Sequence, residues 1–415
     1  MQKRRVVVTG VGAITPIGNS PAELWKNLLA GTSGAGPITR FDPAQFDTRF
    51  ACEVKNFNAE DYLDKKEMRR MDVFSHYALA AAQQAIEDSG LEKKTSIDKD
   101  RVGIILGSGI GGMETFEREH RKLVEKGPSR ISPFFIPMMI ADIAPGHVAI
   151  QYGFKGPNYT TTSACCSSAH AIGEAYHAVL RDDADVMITG GSEATVSPMG
   201  IGGFDSMKAL STRNDNPQAA SRPFDAERDG FVMGEGGAIL VLEELGSALR
   251  RNAKICGEII GVGFTADGHH ITAPPPNGEG AARAMKLAMK SAGISPQDVQ
   301  YVNAHGTSTE ANDKTETRAI HAAFGEHARS LNISSTKSMT GHTLGASGAI
   351  ECLAALLTCR DDIIHPTINQ TAADPECDLN YTPNESVRRE VHIALSNSFG
   401  FGGHNVCLAV KKFHQ

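Results

Sequence analysis

The chain has no apolar run long enough to cross a bilayer, and Val6-Val7-Val8-Thr9-Gly10 is too short for the core of a signal peptide. It has no surplus of positive charge: 41 Lys and Arg stand against 48 Asp and Glu, a formal net charge of −7. No global attraction to nucleic acid is expected from that balance, and an acidic partner would need a local basic patch. None of the eight cysteines forms a C-x-x-C pair, and Cys/His spacing of the zinc type is absent. A disulfide framework or metal ribbon is therefore a poor reading, and the scattered cysteines fit a reducing compartment. There is no phosphate-cradling G-x-x-x-x-G-K-[ST], and Gly107-Ser108-Gly109-Ile110-Gly111-Gly112 has the wrong spacing for dinucleotide binding. These absences predict a cytoplasmic protein with no membrane segment, no nucleic-acid partner, no metal and no nucleotide.

What is present is an α/β pattern over 415 residues, 41% of them hydrophobic. Strands are expected at 5–9, 102–106, 186–189, 238–242, 255–262, 299–303, 331–334, 392–395 and 406–410. Helices are expected at 22–30, 66–89, 167–180, 279–291, 314–323 and 347–360. Two halves echo each other. Val8-Thr9-Gly10-Val11-Gly12 is answered by Ile260-Gly261-Val262-Gly263-Phe264, and Asp88-Ser89-Gly90-Leu91 by Ser291-Ala292-Gly293-Ile294. Thr162–Leu180 is answered by Ser335–Leu357, each a short polar turn followed by an Ala-rich helix. The simplest reading is a duplicated α/β unit with a seam near residue 250; chance likeness between two ordinary α/β segments is the alternative.

Three segments carry reactive chemistry. In Ser163-Ala164-Cys165-Cys166-Ser167-Ser168 a helical pattern starts directly after the cysteines. A thiol at a helix N-terminus is favoured as thiolate, and backbone N–H groups there can hold an oxyanion. Against this stands the ordinary use of cysteine as a small buried hydrophobe. His305 in Asn303-Ala304-His305-Gly306-Thr307-Ser308-Thr309 and His342 in Thr340-Gly341-His342-Thr343-Leu344-Gly345 sit in small-residue loops and suit hydrogen bonding to a thioester carbonyl as it becomes an enolate. Phe399 and Phe401, set on either side of Gly400 in the glycine-rich stretch Ser396–Asn405, are either a gate over an apolar tunnel or the anchors of a tight corner.

Nine segments in order resemble the β-ketoacyl-ACP synthases of the thiolase fold, in particular the type II elongating enzymes. They are V-T-G-V-G at 8–12, G-S-G-I-G-G at 107–112, I-S-P-F-F at 131–135, A-C-x-S at 164–167, and A-L-S-T-R-N-D-N-P with R-P-F-D-x-x-R-D-G-F at 209–231. N-A-H-G-T-S-T, S-S-T-K-S-M-T-G-H and N-S-F-G-F-G-G complete the series. The resemblance implies an α/β thiolase fold, five layers αβαβα, built from halves 1–254 with the nucleophile and 255–415 with the histidines around one buried helix pair. It implies Cys165 as acyl-accepting nucleophile, His305 and His342 as enolate-stabilising donors, Lys337 as electrostatic support and Glu351 as a carboxylate that pairs with Lys337 or orders the loop. Cys166 departs from the family, which usually has Thr, Ser or Ala there.

By the same resemblance Phe401 is the gate, its N–H and that of Cys165 forming an oxyanion hole, and Thr307 and Thr309 line the pantetheine approach. Ile110, Phe135 and Phe204 wall the acyl pocket, some of it from a partner subunit. Family members are homodimers served by acyl carrier protein, with no resident cofactor, since phosphopantetheine arrives on the carrier. In some relatives the region of Asn303, Ser396 and Asn397 holds a monovalent cation. Lys66, Arg69 and Arg70 at i, i+3 and i+4 would put three charges on one helix face; with Lys65, Arg130 and Lys208 they make the expected carrier-docking patch, a plain solvated face being the alternative. His342 separates the chain from initiating synthases, which have Asn there, and the loop G-F-G-G-H-N separates it from thiolases, which have a second cysteine. A polyketide-type ketosynthase, a cysteine hydrolase and a catalytically dead partner subunit are the remaining alternatives.

Overall fold

The computed structural model describes residues 4–91 and 97–414. Ten strands form one hydrogen-bonded sheet. They are β1 (Val6–Ile14), β2 (Val102–Gly107), β3 (Asn158–Thr161), β4 (Val186–Glu193), β5 (Gly236–Glu244), β6 (Gly257–Ala266), β7 (Tyr301–Asn303), β8 (Asn332–Ser334), β9 (Ile393–Gly400) and β10 (His404–Lys411). Their spatial order is β8-β7-β9-β10-β6-β1-β5-β4-β2-β3. The first five strands lie in the order β3-β2-β4-β5-β1 and the last five in the order β8-β7-β9-β10-β6, the same arrangement shifted by five. The two sets meet where Val6–Val8 of β1 pair antiparallel with Gly257–Ile259 of β6. Every residue of β1 is buried. That is why it reads as a continuous apolar run rather than an alternating one: both faces are covered.

The covering helices explain the layers. Helix α2 (Val73–Ser89) packs on β1, β5 and β4, and α4 (Glu279–Ala292) packs on β6 and β10 and against α5 (Glu310–Phe324). Between the two sets of strands lie α3 (Ser167–Leu180) and α6 (Ser347–Asp361), which touch each other and strands of both sets. This is the five-layer αβαβα thiolase fold. Helix α6 is buried at every position from Ser347 to Cys359, so its sequence shows no polar face. The pair packs closely because Gly348 has no side chain: a Cβ there would lie 2.7 Å from the Cβ of Ala169.

Several expectations need correction. The single helix expected over 66–89 is two: α1 (Lys65–Met68) and α2, separated at Asp72, whose backbone is extended. Asp72 caps α2 by accepting from the Phe74 N–H at 3.3 Å and is held by the Thr115 N–H at 2.8 Å. Most strands run further than expected toward their C-terminal ends, and Ser396–Gly400, taken for a loop, is the end of β9. Phe401 then sits at the tip of a tight hairpin between β9 and β10. Strand β3 was not expected, because Asn-Tyr-Thr-Thr has no apolar run; it lies at the outer edge of the sheet. No helix among the described residues is long and apolar enough to cross a membrane.

Candidate active site

Cys165 lies in the turn that leads into α3. Ala164 before it adopts φ 50°, a left-handed conformation that costs an L-residue roughly 1–2 kcal/mol. The turn is held by the Ser163 N–H on Ser167 Oγ (2.9 Å) and by Ser167 Oγ on the Ala164 carbonyl (2.7 Å). The thiol faces the opposite half of the molecule, where Nε2 of His342 lies 3.0 Å from its sulfur. Cys166 points elsewhere: its thiol donates to the carbonyls of Ser398 (3.1 Å) and His404 (3.2 Å). Adjacent in sequence, the two thiols have separate surroundings, and only Cys165 meets a histidine.

His342 is positioned from its backbone outward. Its N–H donates to the Val232 carbonyl at 2.7 Å and its carbonyl accepts from the Gly234 N–H at 2.9 Å. The ring packs edge-on to Phe231 and to His305, centroids 5.3 and 5.4 Å away. The His305 and Gly306 N–H groups are both held by the buried Glu316 carboxylate, at 2.9 and 2.8 Å. Lys337, 1% exposed, ion-pairs with Glu351 and donates to the His305 carbonyl at 2.6 Å; its Nζ is 3.3 Å from His305 Nδ1. Cys165, His305, His342, Lys337 and Glu351 are thus brought into one cluster.

Burial sets the protonation states. It pushes the Cys165 thiol up to about 11; the Lys337 charge and the backbone N–H groups of Phe401 and Cys165 pull downward, and the Glu193 charge adds to the rise. Burial and then the Lys337 charge hold both His305 and His342 well below the ordinary histidine range. Burial also raises the Glu351 carboxyl, with Lys337 opposing. At neutral pH the site therefore holds a thiol and two neutral imidazoles beside the Lys337–Glu351 pair.

A cavity of about 660 Å³ opens above this cluster. Of the expected pocket residues, Ile110, Phe204, Thr307, Thr309 and Phe401 line it. Thr307 and Thr309 share a hydroxyl–hydroxyl hydrogen bond of 2.9 Å, and the Phe204 ring lies 6.4 Å from that of Phe401. Phe135 does not join them. It begins the short helix Phe135–Met139, which turns Met138 inward and leaves Phe135 half-buried outside this chain's cavity.

The docking residues are not one helix face either. Helix α1 ends at Met68, so Arg69 and Arg70 leave in a turn. Lys65 pairs with Glu60, and Arg70 pairs with Glu67 while its guanidinium sits 4.7 Å over the Phe134 ring. Lys66 and Arg69 are exposed, and Arg130 ends the short turn Pro128–Arg130. Lys208 lies at the cavity's edge, paired with Asp47.

Sequence reasoning missed Glu193 and Ser347. Glu193 ends β4 and accepts from Ser108 Oγ (3.0 Å) and from the N–H groups of Gly109 (2.7 Å), Ile110 (3.2 Å), Gly111 (3.4 Å) and Gly345 (3.0 Å), tying the pocket wall to the His342 loop. The available signal was a carboxylate in the otherwise small, uncharged stretch Thr189–Thr195. Ser347 Oγ lies 3.0 Å from His342 Nδ1. Among the described residues, Asn303 Oδ1, Glu351 Oε2, Ser396 Oγ and Asn397 Oδ1 have no hydrogen-bond partner and are buried.

Comparison with known proteins agrees with this geometry. The family descriptions "Beta-ketoacyl synthase, N-terminal domain" and "Beta-ketoacyl synthase, C-terminal domain" match residues 3–248 and 256–371. The chain is 55% identical over 413 residues to a 3-oxoacyl-[acyl-carrier-protein] synthase 2 of Synechocystis sp., covering 100% of this chain and 99% of that protein. Among solved structures, a β-ketoacyl synthase from Burkholderia phymatum superimposes with TM-score 0.93 at 36% identity, over 99% of this chain and 100% of that one. A type II polyketide ketosynthase, in complex with its acyl carrier protein and bound to a hexaketide, superimposes with TM-score 0.92 at 34% identity and the same coverage.

Proposed function

The chain belongs to the β-ketoacyl synthase family, and from that premise we propose that it extends acyl chains on acyl carrier protein by decarboxylating Claisen condensation in fatty acid synthesis. One observation carries the reading: Cys165, His342 and His305 converge at the base of one cavity. A thiol with its pKa near 11 is too seldom ionised at neutral pH to attack unaided, and the neutral imidazole 3.0 Å away can take its proton. The sulfur then attacks the acyl thioester, and the N–H groups of Cys165 and Phe401 hold the oxyanion. Collapse expels the pantetheine thiol, which recovers the proton, and leaves the acyl group on Cys165.

In the second half-reaction malonyl-ACP loses CO2 and its carbonyl becomes an enolate. The Nε2–H groups of His305 and His342 hydrogen-bond that oxygen, and Lys337 fixes the His305 ring through Nδ1. The enolate carbon attacks the acyl thioester, giving 3-oxoacyl-ACP two carbons longer, and the released Cys165 thiolate takes up a proton. Half 1–254 supplies the nucleophile and half 255–415 the histidines and lysine. Thr307 and Thr309 line the pantetheine approach, Ile110 and Phe204 the acyl pocket, and Phe401 gates it. Fatty acid synthesis is favoured over polyketide synthesis by 55% identity to the former kind of enzyme against 34% to the latter. A hydrolase reading leaves His305 and Lys337 without a task.

The protein works in the cytoplasm as a homodimer. Strand β3 leaves an open sheet edge with Tyr159 40% exposed, and Phe134 and Ile136 present further apolar surface; a second copy would cover such an edge. Phe135 is then available to the neighbouring copy's pocket. Lys65 and Lys66 on α1, Arg69 and Arg70 in the turn after it, Arg130 and Lys208 receive the acidic carrier. The protein needs no cofactor of its own. The unpartnered oxygens of Asn303, Glu351, Ser396 and Asn397 fit a hard monovalent cation, which would offset the Glu351 charge.

The test is the intact mass of the protein after incubation with medium-chain acyl-ACP. Wild type and Cys166→Ala should carry an acyl adduct that malonyl-ACP discharges as 3-oxoacyl-ACP, and Cys165→Ala should carry none. An adduct discharged by water alone would show a hydrolase instead.

A further inference from the structure

A neutral histidine carries one ring proton, and the partner of one nitrogen decides which nitrogen keeps it. The two histidines of this site differ in that partner. His305 Nδ1 faces the Lys337 ammonium, which donates and cannot accept, so the His305 proton stays on Nε2. His342 Nδ1 faces a hydroxyl, Ser347 Oγ, at 3.0 Å, and that oxygen lies 3.0 Å from Thr343 Oγ1. All three side chains are buried, with Ser347 2% and Thr343 1% exposed. A hydroxyl donates or accepts by turning about one bond.

His342 is asked for opposite things in the two half-reactions. Acyl transfer needs a bare Nε2 to take the Cys165 proton; condensation needs an Nε2–H to give to the enolate oxygen. We propose that Ser347, backed by Thr343, is a two-way hydrogen-bond partner that lets His342 change tautomer between the half-reactions, an inference that rests on the function proposed above. In the free enzyme Nδ1–H donates to Ser347 Oγ, the Ser347 hydroxyl donates to Thr343, and bare Nε2 faces the thiol. During acyl transfer the S–H proton moves to Nε2 as the sulfur–carbon bond forms. It leaves with the pantetheine sulfur when the old carbon–sulfur bond breaks.

With Cys165 acylated there is no S–H to accept from. The two hydroxyls then turn: Thr343 donates to Ser347, Ser347 donates to Nδ1, and the ring proton sits on Nε2. The exchange gives one proton from Nδ1 to solvent and takes one from solvent onto Nε2, neutral overall. After carbon–carbon bond formation a solvent proton completes the Cys165 thiol, and the ring returns to Nδ1–H. Ser347 is a positioning residue: it acts on His342 and touches no reacting atom.

The experiment uses full-length protein with ¹⁵N-labelled histidine, the His342 signals being assigned by their loss in His342→Gln. Spectra are recorded before and after acylation by medium-chain acyl-ACP, with intact mass reporting the adduct. The protonated nitrogen should move from Nδ1 to Nε2 on acylation of wild type. In Ser347→Ala the move should be lost, and kcat should fall about 10-fold at unchanged KM for malonyl-ACP; Ser347→Thr should restore both. An adduct without a change of tautomer in wild type, or a change that persists in Ser347→Ala, overturns the relay alone. No adduct on wild type overturns the proposed function and the relay with it.

Discussion

The turn before α3 and the turn before α6 occupy equivalent places in the two halves, yet they are built from different physics. The first is made of small side chains: Ser163, Ala164, Cys165 and Cys166 reach their geometry through one left-handed residue and a few serine hydrogen bonds. The second buries full charges, Lys337 against Glu351, and threads His342 between Val232 and Gly234. Because the halves share one strand order, the starts of α3 and α6 meet, and a nucleophile on one turn finds its base on the other. The duplication thus supplies juxtaposition, and divergence of the two turns supplies complementary chemistry.

The largest effect should come from removing the charge on the second turn. Lys337→Met leaves Glu351 buried and unpaired, so stability should fall by about 3–5 kcal/mol, read as a lower urea midpoint, and condensation should be lost. The double variant Lys337→Met/Glu351→Leu should recover most of the stability and none of the activity. Recovery of activity would show that the pair only supports the fold.

The histidines sharpen the contrast. His342→Ala should slow acylation of Cys165 by at least about 100-fold in single-turnover mass measurements. His305→Ala should leave acylation within a few-fold of wild type but slow release of CO2 from malonyl-ACP by about 100-fold. Equal losses in both steps for both variants would dissolve the distinction between base and enolate donor.

Each half also packs a histidine outside the reacting cluster, half-buried His170 on α3 and buried His365 after α6, both held down to about 4 chiefly by desolvation. Below about pH 6.5 the unfolded chain binds protons that these folded histidines refuse. Stability should therefore be constant above that pH and fall as pH drops from 6.5 toward 4, by up to about 1.4 kcal/mol per unit for the fully buried His365. Denaturant midpoints across that range check the sign. Substituting His365 with Gln should flatten the slope more than the same change at the less buried His170.

The smallest effect concerns the first turn. Ala164→Gly removes the left-handed penalty, against a modest entropic cost in the unfolded chain, so stability should rise by about 1 kcal/mol or less. A loss of stability would mean that the Ala164 methyl packs more usefully than its backbone is strained.

Helix α3 was legible to the residue at both ends, because a small-residue turn, an N-terminal serine pair and a helical apolar pattern are local signals. The break between α1 and α2 was not: what stabilises Asp72 as a cap is the Thr115 N–H, 43 positions away. The basic face expected over Lys66, Arg69 and Arg70 failed with it. Phe135 was placed in the pocket by motif, and within its own chain the short helix it begins leaves it outside the cavity. Glu193 escaped notice because its five donors come from two distant loops, each unremarkable alone.

By itself the sequence determined which functional groups exist and where the chain turns: two adjacent thiols at a helix start, two histidines and a lysine in small-residue turns, a glutamate on an Ala-rich helix, and a pattern repeated twice. Only the tertiary structure decided which of two adjacent thiols meets a histidine, and that both imidazoles are neutral. It alone shows that His305 is fixed by an ammonium while His342 answers to a hydroxyl. Those are matters of distance and desolvation between groups as far apart in the chain as Cys165 and His342, 177 positions. Composition and periodicity carry no record of such distances until packing closes them.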